Sequence, residues 1–219
     1  MIYLFIPYYH PSSEDFINSL VKQTEGYRLI KRDRKRDKIY WTKACNDFLK
    51  DIQKYRGIKD DDIICIMNND ISFGTDLFTE GSKVKRGEVY LPEGVYINWK
   101  YKKFTPVGHD GTMVKTFPGR CFFMTYGDFK KSGGFSKLLP HYLSDYDFGI
   151  KMLKKLKPVM MRSKVKHTQH PQVTGFNMVS VNNPIFWTIF LIKHFNRYTF
   201  INIAKAWYDS IADNYRGAK

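Results

Sequence analysis

Two short polar clusters have the residue types and placement to do metal and proton chemistry. The first is Asn68-Asn69-Asp70, which ends the apolar run Ile63 to Met67 abruptly. In open parallel α/β sheets, ligands bind beyond the carboxyl ends of the strands, so a carboxylate at this point faces a crevice. Asp70 there suits Mg²⁺ or Mn²⁺, hard ions that take oxygen ligands and keep water and substrate phosphate in their shell. The same triplet also makes an ordinary turn, because Asn and Asp close strand ends on their own backbone. The second cluster follows Gly133-Gly134-Phe135 and reads Ser144-Asp145-Tyr146-Asp147. Ser144 with Asp147 three positions on makes a capping-box-like helix start, with Phe148, Met152 and Leu156 on one face. That use accounts for Ser144 and Asp147 and leaves Asp145 at a helix N-terminus. The helix dipole favours an ionised carboxylate there, which fits a general base or an electrostatic clamp.

The elements that must position these clusters are legible as apolar periodicity. Strand-length runs at Ile2 to Ile6, Tyr27 to Ile30, Ile63 to Met67, Val89 to Ile97 and Cys121 to Thr125 alternate with segments of helical period. That rhythm predicts a largely parallel sheet covered by helices. The first helix starts at Ser12 or Ser13 and carries Phe16, Ile17, Leu20 and Val21 on one face. A second helix is expected over about Tyr40 to Tyr55, after a charged stretch, Lys31 to Lys38, that reads as a solvated loop. Lys100 to Gly119 keeps no period and reads as one long loop, a length that in a compact domain is often functional. From Pro184 to Tyr215 a helical segment begins with a short apolar run, well under the ~20 residues of a membrane span. It is expected to pack on the domain, with weak contact to a membrane surface as the lesser alternative. The organisation expected is thus a domain over residues 1–183 and a helical appendage over 184–219.

Composition narrows the class. A chain of 219 residues with 43% hydrophobic content builds one substantial core rather than two full domains. Its net charge of +15 favours anionic partners without choosing among nucleotides, nucleic acid and lipid headgroups. Aromatic residues reach 16% but fall inside apolar periodic segments instead of alternating with Lys and Arg, which argues against a nucleic-acid-binding surface. Cys45, Cys65 and Cys121 show no paired spacing, and the chain enters Ile2 to Ile6 without a basic leader, so a reducing, cytoplasmic setting is expected.

In combination, the strand ending Ile6-Pro7-Tyr8-Tyr9, the Asn-Asn-Asp strand end, the Gly-Gly-Phe turn and the Asp-x-Asp helix start resemble inverting family-two glycosyltransferases. The likeness is to rhamnosyltransferase-like members, including those of chlorella viruses, for which the setting would be the host cytoplasm. It spans about residues 1 to 170 and implies an α/β GT-A fold, a Rossmann-like sheet joined to an acceptor-binding part. It also implies a Mn²⁺ or Mg²⁺ ion on Asp70, with Asn68 where many members carry a first aspartate. His167, or else His170, matches a histidine that some members give to the metal. Asp145 falls on the catalytic base, with Ser144 in place of a glutamate. Pro7, Tyr8 and Tyr9 fall where the family meets the nucleotide, Asp33 where a carboxylate reads uracil or thymine, and Lys43, Asn46 and Asn69 near the donor. His109 and Asp110 fall on the acceptor side. The reaction implied moves a hexose from a UDP- or dTDP-sugar to a hydroxyl of a glycan acceptor. The rival reading is a basic nucleic-acid-binding protein without catalysis, in which Asp70 and Asp145 only close turns.

Overall fold

The computed structural model describes residues 1–55, 57–101, 103–107, 113–140, 143–167 and 183–217. Strands β1 (Ile2–Tyr8), β2 (Tyr27–Asp33) and β3 (Ile63–Met67) run parallel, with Ile2 of β1 level with Tyr27 on one side and Ile63 on the other. The sheet continues through β8 (Cys121–Thr125), antiparallel to both of its neighbours, to β5 (Glu88–Leu91) and β9 (Lys157–Met160), which are parallel to each other. The order β2-β1-β3-β8-β5-β9 puts β3 and β8, buried along their whole length, at its centre.

Because side chains alternate across a strand, these two central strands feed two cores. Ile64, Ile66, Phe122 and Met124 face one layer, with helix α2 (Trp41–Ile52) and helices α4 (Tyr126–Ser132) and α5 (Ser144–Leu153). Ile63, Cys65, Met67 and Phe123 face the other, with helix α1 (Glu14–Val21), strand β4 (Ile71–Phe73) and the short helix α3 (Leu77–Gly81). The Ser13 hydroxyl caps α1 by accepting the Phe16 N–H at 3.2 Å, as its sequence suggests. Gly133 closes α4 at φ 67°, a left-handed position that glycine takes without steric cost.

Four local expectations are corrected. Lys31 to Asp33 belong to β2, because an edge strand with one polar face tolerates charge. The run Val89 to Ile97 breaks at Pro92-Glu93-Gly94 into β5 and β6 (Val95–Asn98), which lie in different sheets. The stretch from Lys100 to Gly119 is only partly loop: β7 (Lys103–Pro106) pairs antiparallel with β6, and Thr116 bridges to Val95. Finally, α5 has no side-chain cap. It follows Leu143, at φ 63°, and Ser144 is fully buried in its first turn.

Asp147 therefore does something other than capping. Its carboxylate, 5% exposed, receives the Lys193 ammonium at 2.7 Å and the His194 Nε2 at 2.9 Å, both from the C-terminal end of helix α6 (Pro184–Lys193). Trp187, Phe190 and Leu191 of α6 pack with Leu139, Leu143 and Ala206 of helix α7 (Thr199–Gly217) in a third apolar cluster. Among the described residues no helix is long and apolar enough to cross a membrane.

Burial alone would raise the Asp147 pKa, but the hydrogen bonds from His194 and Lys193 outweigh it, and the net shift is downward. A lowered carboxylate stabilises the fold above its unfolded value of about 3.9 and loses that contribution as pH falls through the folded value. Asp147→Asn leaves the two basic groups without a counter-charge, and breaking such a pair costs ~3 kcal/mol, the low end because Lys193 is partly solvated. Urea denaturation at neutral pH should show that loss. The difference between parent and variant should shrink as pH falls from about 4 towards the lowered folded value, below which both carry an uncharged group at this position.

Candidate active site

The carboxyl ends of β1, β2 and β3 emerge on one edge of the sheet because the three strands are parallel and in register. Pro7 lies opposite Arg32 and Tyr8 opposite Asp33, and β3 delivers Asn68, Asn69 and Asp70 to the same edge. Asp70 meets His167 there, with Nε2 of the imidazole 3.1 Å from the carboxylate Oδ2. The approach is set by strand pairing: β10 (Val165–His167) runs antiparallel to β4 and places His167 level with Ile71. The other carboxylate oxygen of Asp70, Oδ1, is buried and accepts no hydrogen bond from the described residues. A buried oxygen without a donor is costly, and a divalent cation shared with His167 would satisfy it. Among the described residues no group of three His, Cys, Asp or Glu side chains gathers to hold a metal, so this pair fits an ion that completes its shell with water and phosphate.

The amides of the motif are engaged in positioning. Asn68 Oδ1, the atom that would ligate a metal, accepts the indole N–H of Trp41 at 3.0 Å, and the Asn68 N–H donates to the carbonyl of Arg120 at 2.9 Å. Asn69 donates its amide N–H to the carbonyl of His10 at 2.8 Å, which ties the strand end to the loop before α1.

Asp145 stands across Trp41 from this motif. A Cβ on Gly119 would lie 2.8 Å from the Trp41 ring and 3.1 Å from the Asp145 Cβ, so only glycine lets the three meet. The Gly119 N–H donates to Asp145 Oδ2 at 2.8 Å and the Tyr146 N–H to Oδ1 at 2.9 Å. The sequence suggested that the helix start favours the ionised form, and the structure corrects this. Burial pushes the Asp145 pKa up, and the backbone N–H groups with the nearby Arg120 recover only part. A carboxylate with a raised pKa, still holding free lone pairs, is a better proton acceptor.

Arg34 directly follows Asp33, the last residue of β2. In the fold its Nε donates to the Pro7 carbonyl at 3.1 Å, its backbone N–H donates to the Tyr8 carbonyl, and its guanidinium lies 5.5 Å from the Tyr9 ring centroid. Burial lowers its pKa, against the opposing fields of Tyr9 and Asp70 among others, which places a fixed cation beside the metal motif. Arg120 is a second cation at the site, 3.1 Å from Glu93. Neither carried a sequence signal beyond its charge, because each reaches the site by backbone geometry.

The remaining expected residues divide. Pro7, Tyr8, Tyr9 and Asp33 are gathered at the strand edge, where Asp33 also accepts the Arg36 N–H at 2.9 Å. Lys43 is not turned to that edge's chemistry: it is exposed and pairs with Asp47 at 2.8 Å. Asn46 is likewise reassigned. Its amide accepts the Phe135 N–H at 2.8 Å and donates to the Phe135 carbonyl at 3.0 Å, so both ends hold the Gly-Gly-Phe turn against α2. His109, Asp110 and His170 lie outside the described residues.

No protein-family model matches the sequence, and no curated protein matches it. Solved structures do. GalNAc-T7 with UDP, GalNAc and Mn²⁺ is similar over 90% of this chain, with TM-score 0.63 and 11% identity, and this chain spans 48% of it. The mannosyltransferase PcManGT of Pyrobaculum calidifontis, in complex with GDP-Man and Mn²⁺, is similar over 96% of this chain and 75% of its own, with TM-score 0.54 and 10% identity. The catalytic domain of Drosophila β1,4-galactosyltransferase 7, in complex with xylobiose, is similar over 77% and 71%, with TM-score 0.51 and 12% identity. At such identities the likeness is one of fold, and the fold is the GT-A, Rossmann-like α/β arrangement with a mainly parallel sheet flanked by helices.

Proposed function

We propose that this chain is a metal-dependent inverting glycosyltransferase that moves a hexose from a UDP- or dTDP-sugar to a hydroxyl of a glycan acceptor. The observation that carries the reading is the buried, unpartnered Oδ1 of Asp70 beside His167, set on the same strand edge as Tyr8 and Asp33. The solved structures of like fold supply independent support, since two of them hold Mn²⁺ with a nucleotide or nucleotide sugar. The nearer kinship with family-two rhamnosyltransferases belongs to this proposal too, and rests on the motif order. Residues 1–183 would carry the transferase, with 184–219 as a helical segment packed on it. Three free, buried thiols fit a reducing compartment, the cytoplasm.

In this reading Asp70 and His167 are the residues that would hold Mn²⁺ or Mg²⁺, and the ion would supply charge neutralisation for the departing diphosphate. Arg34 adds a fixed cation beside it, and Tyr8, Tyr9 and Asp33 face the nucleoside. Asp145 accepts the proton of the acceptor hydroxyl as that oxygen bonds to the anomeric carbon. The bond from that carbon to the diphosphate breaks on the opposite face, which inverts the centre. Trp41 links the surroundings of the two motifs, bonded to Asn68 and lying beside Gly119, which donates to Asp145. Against the nucleic-acid reading, basic residues such as Arg32, Lys43, Arg86 and Lys130 are paired with nearby aspartates.

Calorimetry of UDP binding with Mn²⁺ and after chelation tests the metal assignment. Affinity should drop at least ~10-fold on chelation, and Asp70→Ala or His167→Ala should reproduce that drop, since even outer partners of metal ligands are worth that much. Equal binding of UDP, dTDP and GDP without metal would sink the assignment. For the base, Asp145→Asn should bind donor as the parent does but lose roughly 10²–10⁴-fold in turnover. The ascending limb of kcat/KM against pH should lie above the ordinary aspartate value of about 3.9, because a raised pKa leaves the carboxyl protonated, and so unable to take a proton, up to a higher pH. A variant with near-normal turnover would remove Asp145 from the mechanism.

A further inference from the structure

The C-terminal helices carry apolar residues on faces that the domain does not cover. On α6, Trp187, Phe190 and Leu191 turn inward, while Ile185 and Ile192, spaced seven apart on the opposite side, are 55% and 60% exposed. On α7, Thr199, Asn202 and Ala206 are buried, and Phe200, Trp207 and Ile211 form an outward stripe at 74%, 47% and 54% exposure. The two helices pack together, the Trp207 indole N–H reaches the Thr188 hydroxyl at 3.3 Å, and Phe195 of the connecting turn meets Phe200 edge to face at 5.8 Å. A helix that is apolar all round has a partner on each side, and a contiguous exposed patch of this kind marks an interaction surface.

Charge identifies the occupant. Arg197 is exposed in the turn that carries Phe195, and a cavity of about 350 Å³ opens at the same turn, lined by Tyr96, Trp99, Lys100, Arg197 and Tyr198 among others. Two cations and three aromatic rings around an open cavity suit a phosphate-bearing headgroup, with the rings at the level where a bilayer meets water. A second copy of the chain seated across a two-fold axis would set these cations against themselves, whereas an anionic surface neutralises them. With α6 only ten residues long, ~15 Å against a ~30 Å hydrocarbon layer, the segment lies on a membrane rather than through it.

We propose that the outward face of α6 and α7, with the Lys100–Arg197 cavity at its turn, docks the protein on an anionic phospholipid bilayer. The surface is independent of the transferase reading and joins the two fates weighed for this segment from its sequence: one side packs on the domain, and the other inserts to interfacial depth.

Flotation with vesicles of phosphatidylcholine alone, or of phosphatidylcholine mixed with phosphatidylserine, tests it. The protein should float with the mixed vesicles and remain partly bound in molar salt, since part of the attachment is apolar. Phe200→Ser with Ile211→Ser changes no charge and removes exposed side chains, so the melting curve should be unaltered while partition weakens more than ~10-fold. Lys100→Ala with Arg197→Ala should weaken binding only to the mixed vesicles. Trp207 emission should shift to the blue on binding, and the shift should be absent from Trp207→Phe, a readout that holds even if the double serine variant fails to fold. Three results would overturn the proposal: vesicle binding equal to the parent in the serine variant together with an unshifted Trp207, which reports a merely basic surface; a solution dimer that the serine variant splits and that ignores vesicles, which assigns the face to a second copy; or no flotation with either lipid.

Discussion

The meeting of Trp41, Gly119 and Asp145 is the contact on which the rest of the site depends. The indole reaches from the start of α2 to the end of β3, where its N–H holds Asn68, and its ring leaves room beside Asp145 only because Gly119 has no side chain. Trp41 is itself fixed by an edge contact with Phe135, at 4.9 Å, from the turn that Asn46 clamps. The two acidic motifs lie 75 positions apart in sequence, and Trp41 connects their surroundings, bonded to Asn68 at one end and lying beside Gly119, the donor to Asp145, at the other.

Burial acts in opposite directions on the two aspartates of α5. Asp145 loses solvent, and its backbone donors and the nearby Arg120 offset only part of that, so its pKa rises and its basicity with it. Asp147, two residues on, loses solvent too but meets Lys193 and His194, and its pKa falls. One helix start thus presents a carboxylate suited to accepting a proton and another committed to an ion pair with the C-terminal segment. The same pairing fastens α6 to the helix that carries the proposed base, so the α6–α7 hairpin and the candidate site share α5.

Most of the fold was legible in the sequence because uninterrupted apolar runs such as Ile63 to Met67 have no other stable fate than a central strand. Misreadings fell where local pattern and tertiary context disagree. The charges of Lys31 to Asp33 read as loop, yet an edge strand carries them at no cost. Val89 to Ile97 read as one strand, yet Pro92 cannot donate to a ladder and the chain turns there into another sheet. The alternation of β6 and β7 is too short to stand out from the polar residues around it.

What the sequence by itself determined are the groups that follow directly from a strand or helix end: Asp70 after β3, Tyr8 at the end of β1 and Asp145 at the start of α5. Residue order and apolar period place these without knowledge of any partner. Tertiary structure alone decided which groups meet them. His167 reaches Asp70 through the β4–β10 pairing, Arg34 folds back on Pro7, Asn46 is drawn away to Phe135, and Asp147 is claimed by Lys193 and His194. The physical reason is that element ends are set by short-range chemistry, whereas a side chain's partners are set by which distant elements pack together. That choice is made by the burial of whole apolar faces and leaves no mark at the polar residue itself.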